Sequence, residues 1–319
     1  MLGKRYLYDG KAVVPLQDRQ IIARNAFLRK MRDQYRQINV NCLCGNSYYD
    51  TLSQKDRYGL PVVTVICRKC GLVYQNPRLD NDSSKEFYST IYRDLYETST
   101  IPMFFDGQLR SGNRIVNWLR KRMDRFPRTV VEIGCGAGGI LKAFQNNGVE
   151  TLGVDYDERY INYGRHKSLR LLLGGAEAVP KHSADLVILS HVLEHFSDIQ
   201  KELDTICGLL SANGSLYVEL PGVFNLKEYH YDFLKSVQNA HNYYFALGTL
   251  EQVLSLYGWK LEYGDENIFS IFRHVGQTSG ISKNYYPIVS SRLAHFEKMR
   301  WIGQLKAITR VDQFLKLHA

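Results

Sequence analysis

The stretch that decides the fold is Val130-Val131-Glu132-Ile133-Gly134-Cys135-Gly136-Ala137-Gly138-Gly139. A short apolar run ends in closely spaced glycines, and an apolar helical pattern, Ile140–Asn147, follows it. This order predicts a buried strand, a tight turn and a helix. Glycine lets the backbone turn sharply and approach a ligand closely, and the N-terminus of a helix presents free N–H groups. The segment therefore predicts a cofactor site where the strand ends.

Short apolar segments alternate with helical patterns along the rest of this region. The predicted strands are Thr129–Ile133, Thr151–Asp155, Leu169–Leu173, Asp185–Ser190, Ser215–Leu220, Lys260–Tyr263 and Ile268–Val275. Such alternation is typical of an α/β fold, in which helices cover both faces of a parallel sheet. We predict a doubly wound, Rossmann-like sheet whose last two strands pair antiparallel across a short link.

Smaller parts extend this core on both sides. The predicted parts are a helical segment at 1–40 with a helix over 16–38, a cysteine ribbon at 41–80, a helical connector at 81–128, the α/β domain at 129–275 with an inserted lid at 223–245, and a basic amphipathic helical tail at 276–319.

The positive charge of the chain lies at its ends. The net charge is +9, of which residues 1–40 contribute +6 and residues 276–319 contribute +5, so the middle carries −2. A core without excess positive charge argues against a nucleic-acid partner. Because no apolar run approaches the length of a membrane span and Met1 to Val14 lacks a signal-peptide core, we expect a cytoplasmic protein.

Two carboxylates indicate what the glycine turn binds. Glu132 lies two positions before the first glycine, and Asp155 ends the second predicted strand, where a carboxylate can accept hydrogen bonds from ribose hydroxyls. The glycine spacing is G-x-G-x-G, whereas dinucleotide sites have G-x-G-x-x-G. A carboxylate beside the turn suits a cofactor with a cationic amino group better than a pyrophosphate. A glycine turn in an unrelated α/β protein is the alternative.

With these features, residues Thr129 to Val275 resemble class I S-adenosylmethionine-dependent methyltransferases. The resemblance implies that Gly134, Gly136 and Gly138 approach the methionine part of the cofactor. It also implies that Glu132 lies near the amino group of that methionine part.

The same resemblance assigns residues to the nucleoside. Asp155 is expected to bind the ribose and Tyr156 to pack against the adenosine. Many members read Gly-Asp-Ala-Glu after the third strand, where this chain has Gly175 in place of the Asp. Adenine contacts are therefore expected from the backbone around Ala176 and from Glu177.

The segment after the fourth predicted strand strengthens the resemblance. Ser190 is followed by His191-Val192-Leu193-Glu194-His195, a signature found in one subset of these methyltransferases. Ligands bind at this edge of open α/β sheets, so we expect Ser190 and His191 to face the cofactor. His195 reads more naturally as a packed structural residue.

Four of the six cysteines form two close pairs. Cys67 and Cys70 make a C-x2-C turn, and Cys42 and Cys44 make a shorter C-x-C turn that 22 residues separate from it. In a reducing compartment such pairs favour a metal over disulfides. Four thiolates leave no open position for water, so the prediction is structural zinc. Four reduced cysteines in a small β unit are the alternative.

Two further segments resemble sugar methyltransferases of antibiotic and surface-polysaccharide pathways. Cys70-Gly-Leu-Val-Tyr-Gln-Asn-Pro-Arg78 is similar to the end of their zinc module, and His241-Asn-Tyr-Tyr-Phe245 to an element over their active site. For a hydroxyl acceptor, a histidine fits the role of general base. We therefore nominate His241 as the base, with Tyr244 and Glu219 as supports or substrate contacts. A packed loop histidine is the alternative.

The residue before that histidine bears on the reaction type. Related C-methylating enzymes have a glutamate there, and this chain has Ala240, which favours O-methylation. His230 and Tyr231, in the same insertion, are the next candidates for the acceptor site.

The resulting functional hypothesis is methyl transfer from S-adenosylmethionine to a sugar hydroxyl, on a nucleotide sugar or a surface-polysaccharide precursor. Three alternatives stay open: C-methylation of a keto-sugar, methylation of RNA with the ribbon as reader, and a non-catalytic cofactor-binding scaffold. The oligomeric state stays open as well.

The predicted tail has an apolar face and a basic face. The apolar positions are Phe296, Trp301, Leu305, Ile308, Val311 and Leu315, and the basic positions are Arg292, Lys306 and Arg310. Such a helix can rest on an anionic membrane surface near lipid-linked sugars. It can equally dock on its own protein, which is the commoner use of this pattern.

Overall fold

The computed structural model describes residues 2–300, and these form two compact units. The first unit holds the chain up to Tyr96, the segment Pro221–Val253 and the residues from Ile281 on. The second unit holds Glu97–Leu220 and Leu254–Gly280.

The elements are numbered in chain order over both units. Besides the helical residues 286–300, the helices are α1 (Asp18–Asp33), α2 (Asn81–Thr90), α3 (Tyr92–Tyr96), α4 (Ile101–Arg120), α5 (Gly139–Gln145), α6 (Glu158–His166), α7 (Ile199–Leu209), α8 (Phe233–Ser236) and α9 (Leu247–Ser255). The strands are β1 (Gln37–Ile38), β2 (Tyr49–Lys55), β3 (Pro61–Cys67), β4 (Val73–Gln75), β5 (Arg78–Leu79), β6 (Thr129–Ile133), β7 (Glu150–Asp155), β8 (Leu171–Leu173), β9 (Ala184–Ser190), β10 (Leu210–Glu219), β11 (Tyr243–Tyr244), β12 (Trp259–Gly264) and β13 (Phe269–His274). Short 3₁₀ turns lie at Lys4–Tyr6, Ala176–Ala178, Leu193–His195 and Lys227–Tyr229.

The second unit contains the predicted doubly wound sheet. Its strand order is β12-β13-β10-β9-β6-β7-β8, and the five strands from β10 to β8 are mutually parallel. β13 pairs antiparallel with both β10 and β12, as expected for the closing pair. The chain leaves β6 towards β7 and β8 and later returns to build β9 and β10 on the other side. This reversal creates a switch point between β6 and β9, where ligands bind in open α/β sheets.

Burial explains why these segments form strands. Leu186 and Ile188 of β9 and Val130 of β6 are at most 1% exposed, as expected for a parallel sheet covered on both faces. Leu119 of α4 and Phe144 of α5 pack into the same core. The strands that lead to the candidate site are therefore held in a close-packed core.

The first unit is built around a four-stranded antiparallel sheet with the order β11-β4-β3-β2. β11 comes from the insertion at 223–245, whose residues Phe233 and Val237 share a buried cluster with Val62 of β3. The segment predicted as a lid on the α/β domain thus contributes a strand and core side chains to the first unit. The connector at 81–128 also divides, because α2 and α3 lie in the first unit and α4 in the second.

The N-terminal helix is shorter than predicted. α1 ends at Asp33, whereas the prediction ran to residue 38, and Gln37–Ile38 instead form β1. β1 pairs antiparallel with Arg78–Leu79. The prediction was wrong because the hydrogen-bonding partner of this strand lies about 40 residues further along the chain. The local sequence pattern does not indicate that pairing.

The tail docks on its own unit as far as the structure describes it. Residues 286–300 are helical, and Val289, Leu293 and Phe296 are buried in the first unit. The remaining apolar positions of the predicted face, Trp301, Leu305, Ile308, Val311 and Leu315, lie outside the described residues, as do Lys306 and Arg310. Within residues 2–300, no helix combines the length and the apolarity that crossing a membrane requires.

Candidate functional site

The glycine bend joins β6 to α5. Gly134 has φ 69° and Gly138 has φ 79°, in the left-handed region where a side chain is strained. A Cβ atom at Gly134 would lie 2.6 Å from Val192 Cγ2, and one at Gly138 would lie 2.8 Å from Leu169 Cδ1. At both positions the positive φ favours glycine, and a side chain would in addition have to displace Val192 or Leu169.

Asp155 is fastened to this bend. Its Oδ2 accepts a hydrogen bond from the backbone N–H of Gly136 at 2.8 Å, and its Oδ1 accepts one from Asp157 N at 2.8 Å. The side chain ends β7 and is only 9% exposed. These contacts hold a carboxylate at the carboxyl edge of the sheet, as expected for a group that binds ribose hydroxyls.

Glu132 is the most unusual group of the site. It is 1% exposed, and its Oε2 has no hydrogen-bond partner among residues 2–300. Burial raises its pKa well above the ordinary range, and the carboxylates of Asp155 and Glu219 raise it further. A buried acceptor without a donor is costly. The amino group of S-adenosylmethionine is a cationic donor of the kind that this carboxylate lacks, so the residues present fit that cofactor.

The predicted adenine end departs from the family pattern in a way that the structure explains. A Cβ atom at Gly175 would lie 2.3 Å from the Tyr156 hydroxyl and 2.6 Å from Glu177 Oε2. The Glu177 carboxylate also accepts a hydrogen bond from Gly175 N at 3.0 Å. The Tyr156 side chain is exposed, and Ala176 is buried. The ends of the Tyr156 and Glu177 side chains thus lie next to Gly175, and they would have to move to admit an aspartate there.

His191 lies directly after β9, next to Ser190, with φ 56°. Its Nδ1 is 3.7 Å from Glu194 Oε1 and its Nε2 is 4.0 Å from Glu219 Oε1. Desolvation opposes protonation of the ring, but the two carboxylates outweigh it and raise the pKa of His191. The imidazole therefore belongs to a charged cluster at the carboxyl edge of the sheet.

Two residues of α4 contribute to this edge, and sequence reasoning missed both. Gln108 spans the glycine bend, because its Nε2 donates to Cys135 O at 2.8 Å and its Oε1 accepts from Gly139 N at 3.2 Å. Arg114 donates to Glu219 Oε1 at 2.5 Å. Because α4 precedes β6 in the chain and has no motif, nothing in its sequence indicated these roles.

The three residues predicted for the acceptor side fall in different units. Glu219 is buried at the end of β10 in the second unit, whereas His241 and Tyr244 are in the first. The His241 ring is 6% exposed and its centroid is 5.6 Å from that of Tyr244. The Tyr244 hydroxyl donates to Gln238 O and accepts from Gln238 N, both at 3.0 Å. In this structure Tyr244 therefore holds the loop before His241.

The next candidates have separate places in the first unit. His230 is exposed, and the ring of Tyr231 packs at 5.8 Å from that of Phe296. Both residues have positive φ values, 53° and 60°.

The four paired cysteines converge as predicted. Their sulfur atoms all lie within 4.8 Å of one another, with Cys42 Sγ 3.4 Å from Cys70 Sγ and Cys44 Sγ 3.6 Å from Cys67 Sγ. Tetrahedral zinc with Zn–S bonds of about 2.3 Å places sulfur atoms about 3.8 Å apart. Backbone N–H groups of the second turn point at these sulfurs, for example Leu72 N at 3.5 Å from Cys70 Sγ. The donor set and its spacing fit a closed four-thiolate site.

Comparisons with known proteins agree with the fold. Residues 109–263 match a family model described as a methyltransferase domain. The C-methyltransferase NovU of Streptomyces niveus is 24% identical over 235 residues, which cover 69% of this chain and 51% of that protein. A ubiquinone biosynthesis O-methyltransferase of Stutzerimonas stutzeri is 25% identical over 153 residues, 44% of this chain and 58% of that protein. The chain thus spans about half the length of the curated relatives that it matches.

Among solved structures, a SAM-dependent methyltransferase from Archaeoglobus fulgidus is 19% identical and covers 66% of this chain and 92% of that chain, with a TM-score of 0.42.

The fold, the candidate site and the family match coincide in one region of the chain. The switch point of a doubly wound sheet carries a G-x-G-x-G bend, a buried glutamate before it and an aspartate at the end of the next strand. The matched model, residues 109–263, spans all three. Residues 109–263 thus combine a Rossmann-like methyltransferase fold with a match to a methyltransferase domain, and the residues of the site fit S-adenosylmethionine.

Replacing Glu132 by Gln tests the cofactor site. We expect the dissociation constant for S-adenosylmethionine to rise about tenfold to a hundredfold in isothermal calorimetry, because the amino group loses a charged acceptor.

The raised pKa of Glu132 also predicts how stability depends on pH. The free wild-type protein should lose stability as pH rises above about 4.5, since the folded state holds a proton that the unfolded state releases. The variant should lack this fall in the free energy of unfolding.

Glu150→Gln is the matched control, because that side chain is 71% exposed at the start of β7 and loses the same charge. Equal cofactor affinities of Glu132→Gln and the control would contradict the assignment.

Proposed function

We propose that this chain transfers a methyl group from S-adenosylmethionine to a sugar hydroxyl, on a nucleotide sugar or a surface-polysaccharide precursor. The observation that carries the proposal is the buried Glu132 carboxylate, whose Oε2 has no partner among the described residues and which lies beside the glycine bend. That arrangement calls for a cationic ligand, and residues 109–263 match a methyltransferase domain.

The residues of the second unit account for the cofactor's parts. Glu132 would accept from the amino group, Asp155 from the ribose hydroxyls, and the backbone of Gly134 to Gly138 would approach the methionine part. Tyr156 and Glu177 would contact the adenosine, with Ala176, Ser190 and His191 lining the same edge. When bound, S-adenosylmethionine supplies an electrophilic methyl carbon, which an acceptor can displace in line from sulfur.

His241 is proposed to remove the acceptor proton. A sugar hydroxyl becomes a competent nucleophile when a base takes its proton as the new carbon–oxygen bond forms, and a general base typically contributes about 10²–10⁴ in rate. The imidazole of His241 is buried beside Tyr244, and the backbone before it is held by the Tyr244 hydroxyl. Glu219, ion-paired with Arg114, is proposed as a support on the cofactor side.

The proposal of a sugar acceptor is based on sequence features of the ribbon and of the insertion. The stretch Cys70 to Arg78 and the His-x-x-Tyr-Phe element resemble those of sugar methyltransferases, and Ala240 favours an oxygen acceptor. C-methylation of a keto-sugar is the second candidate. It is favoured by the relative named as a C-methyltransferase, whose match extends over 69% of this chain.

A ¹³C-methyl transfer experiment separates these outcomes. The purified chain would be incubated with ¹³C-methyl S-adenosylmethionine and a set of bacterial nucleotide sugars, and the products examined by carbon NMR. We expect a carbon signal in the O-methyl region, whereas a C-methyl signal would support the second candidate. Cofactor binding without transfer to any sugar would overturn the proposed acceptor class.

His241→Asn tests the base. With the active sugar from that screen, we expect kcat to fall at least about a hundredfold, because no other group replaces the lost proton acceptor. The dissociation constant for S-adenosylmethionine should stay within about twofold of wild type, since the cofactor residues are unchanged. His166→Asn, an exposed substitution at the end of α6, is the control. An unchanged kcat in His241→Asn would refute the role.

We further propose that Cys42, Cys44, Cys67 and Cys70 bind one structural zinc ion. The support is the convergence of four thiols, since binding of a metal by such a set supplies folding free energy. With four thiolate ligands the ion would hold no water and take no part in methyl transfer.

Metal analysis by plasma mass spectrometry should find about one zinc per chain. Cys67→Ser should lower both the zinc content and the midpoint of thermal unfolding, because one of four ligands is lost. Cys207→Ser, which changes a cysteine of α7 outside the cluster, should leave both at the wild-type level. Protein purified with zinc present and found to contain none would disprove the metal.

A further inference from the structure

The loop that carries His241 is held by one buried side chain of β4. Gln75 is 2% exposed, and its Nε2 donates to Gln238 O at 2.8 Å and to Asn239 O at 3.1 Å. Both amide hydrogens of Gln75 are therefore used on backbone carbonyls of the loop. The side chain has no donor left for a substrate, so its effect on the loop is one of position.

Gln75 also holds the other side of the loop. Its backbone N–H donates to Asn242 O at 3.0 Å, and the pairing continues between Tyr74 of β4 and Tyr243 of β11. The two ends of the segment 238–242 are thus attached to the same residue, once through its side chain and once through its backbone. His241 lies between these two attachments.

Two tyrosine hydroxyls also bind the loop, and together with Gln75 they form what we call the loop clamp. Tyr88 donates to Ala240 O at 2.9 Å, and the Tyr96 hydroxyl accepts from Asn239 N at 3.0 Å. Both belong to the aromatic helices α2 and α3. The loop backbone is thereby fixed on several sides, although it has no regular secondary structure before β11.

The strand that carries Gln75 leaves the cysteine centre directly. β4 begins at Val73, three residues after Cys70. The residue before it, Leu72, is tied to the cysteine turn, because its carbonyl oxygen accepts a hydrogen bond from Cys67 N at 2.9 Å. The geometry of the cysteine turn therefore sets where β4 runs, and β4 sets where the loop lies.

We propose that Gln75 is a positioning residue for His241, through which the cysteine ribbon fixes the geometry of the base. The proposal rests on the proposed function. Its physical basis is that a catalytic group displaced by about 1 Å can cost about a hundredfold in rate. It gives the ribbon a role in turnover without any contact to substrate.

Gln75→Met tests this directly, because methionine keeps the shape and removes both donors. We expect kcat to fall about tenfold to a hundredfold, while the KM for the sugar and the dissociation constant for S-adenosylmethionine stay within about twofold. Hydrogen exchange, followed by mass spectrometry, should become faster in residues 238–242 and stay unchanged in the second unit.

Gln20→Met is the matched control within the same unit. Gln20 is 5% exposed, and its Nε2 donates to Leu95 O at 2.8 Å, so the substitution removes the same kind of bond away from the loop. It should leave kcat and the exchange of residues 238–242 at the wild-type level. Equal losses of kcat in both variants would indicate a general loss of stability and overturn the proposal.

Tyr88→Phe provides a second, milder variant that keeps the ring and removes one clamp hydroxyl. It should lower kcat severalfold with an unchanged KM, and it decides the question if Gln75→Met does not fold. Wild-type kcat in Gln75→Met together with faster loop exchange would overturn the positioning role. If instead His241→Asn keeps full turnover, the base assignment fails, and the exchange data still decide whether Gln75 holds the loop.

Discussion

The buried Glu132 carboxylate, whose Oε2 has no hydrogen-bond partner among residues 2–300, is the constraint on which the candidate cofactor site depends. Glu132 is buried next to the strand end, and its neighbours Asp155 and Glu219 are also acidic. Ionising it without a counter-charge costs several kcal/mol, so the free protein favours the protonated form. A cationic ligand reverses this balance. The cost that Glu132 imposes on the free protein is thus the source of its preference for a sulfonium nucleoside with an amino group.

The groups around Glu132 are fixed before any ligand arrives. Asp155 is tied to Gly136 N, Gln108 spans the same bend, and Arg114 neutralises Glu219 on the far strand. Such preorganisation matters because a side chain that must be ordered on binding costs affinity. It also explains why glycine alone does not make the site, since the bend needs supports from α4 to keep its shape.

Local signals in the sequence predicted the fold well. Contacts between residues far apart in the chain could not be predicted from the sequence. The strand Thr129–Ile133 has the predicted bounds, because an apolar run ending in glycines is a complete local signal. The end of α1 and the place of the insertion were misjudged, because β1 pairs with Arg78–Leu79 and β11 pairs with β4. Gln108 was missed for the same reason, since its role depends on a helix packing against a bend that follows it in sequence.

The groups proposed to act in methyl transfer are divided between the two units of the chain. The groups that would hold the cofactor belong to the second unit, whereas His241, Gln75 and the cysteine centre belong to the first. The loop before His241 is held by hydrogen bonds from Gln75 to backbone carbonyls. These hydrogen bonds are between uncharged groups, so the charge of a cofactor does not alter them. Changes to this clamp should therefore alter turnover with little effect on cofactor affinity, and changes at Glu132 should alter affinity first. A ribbon that only stabilised the fold would show no such separation.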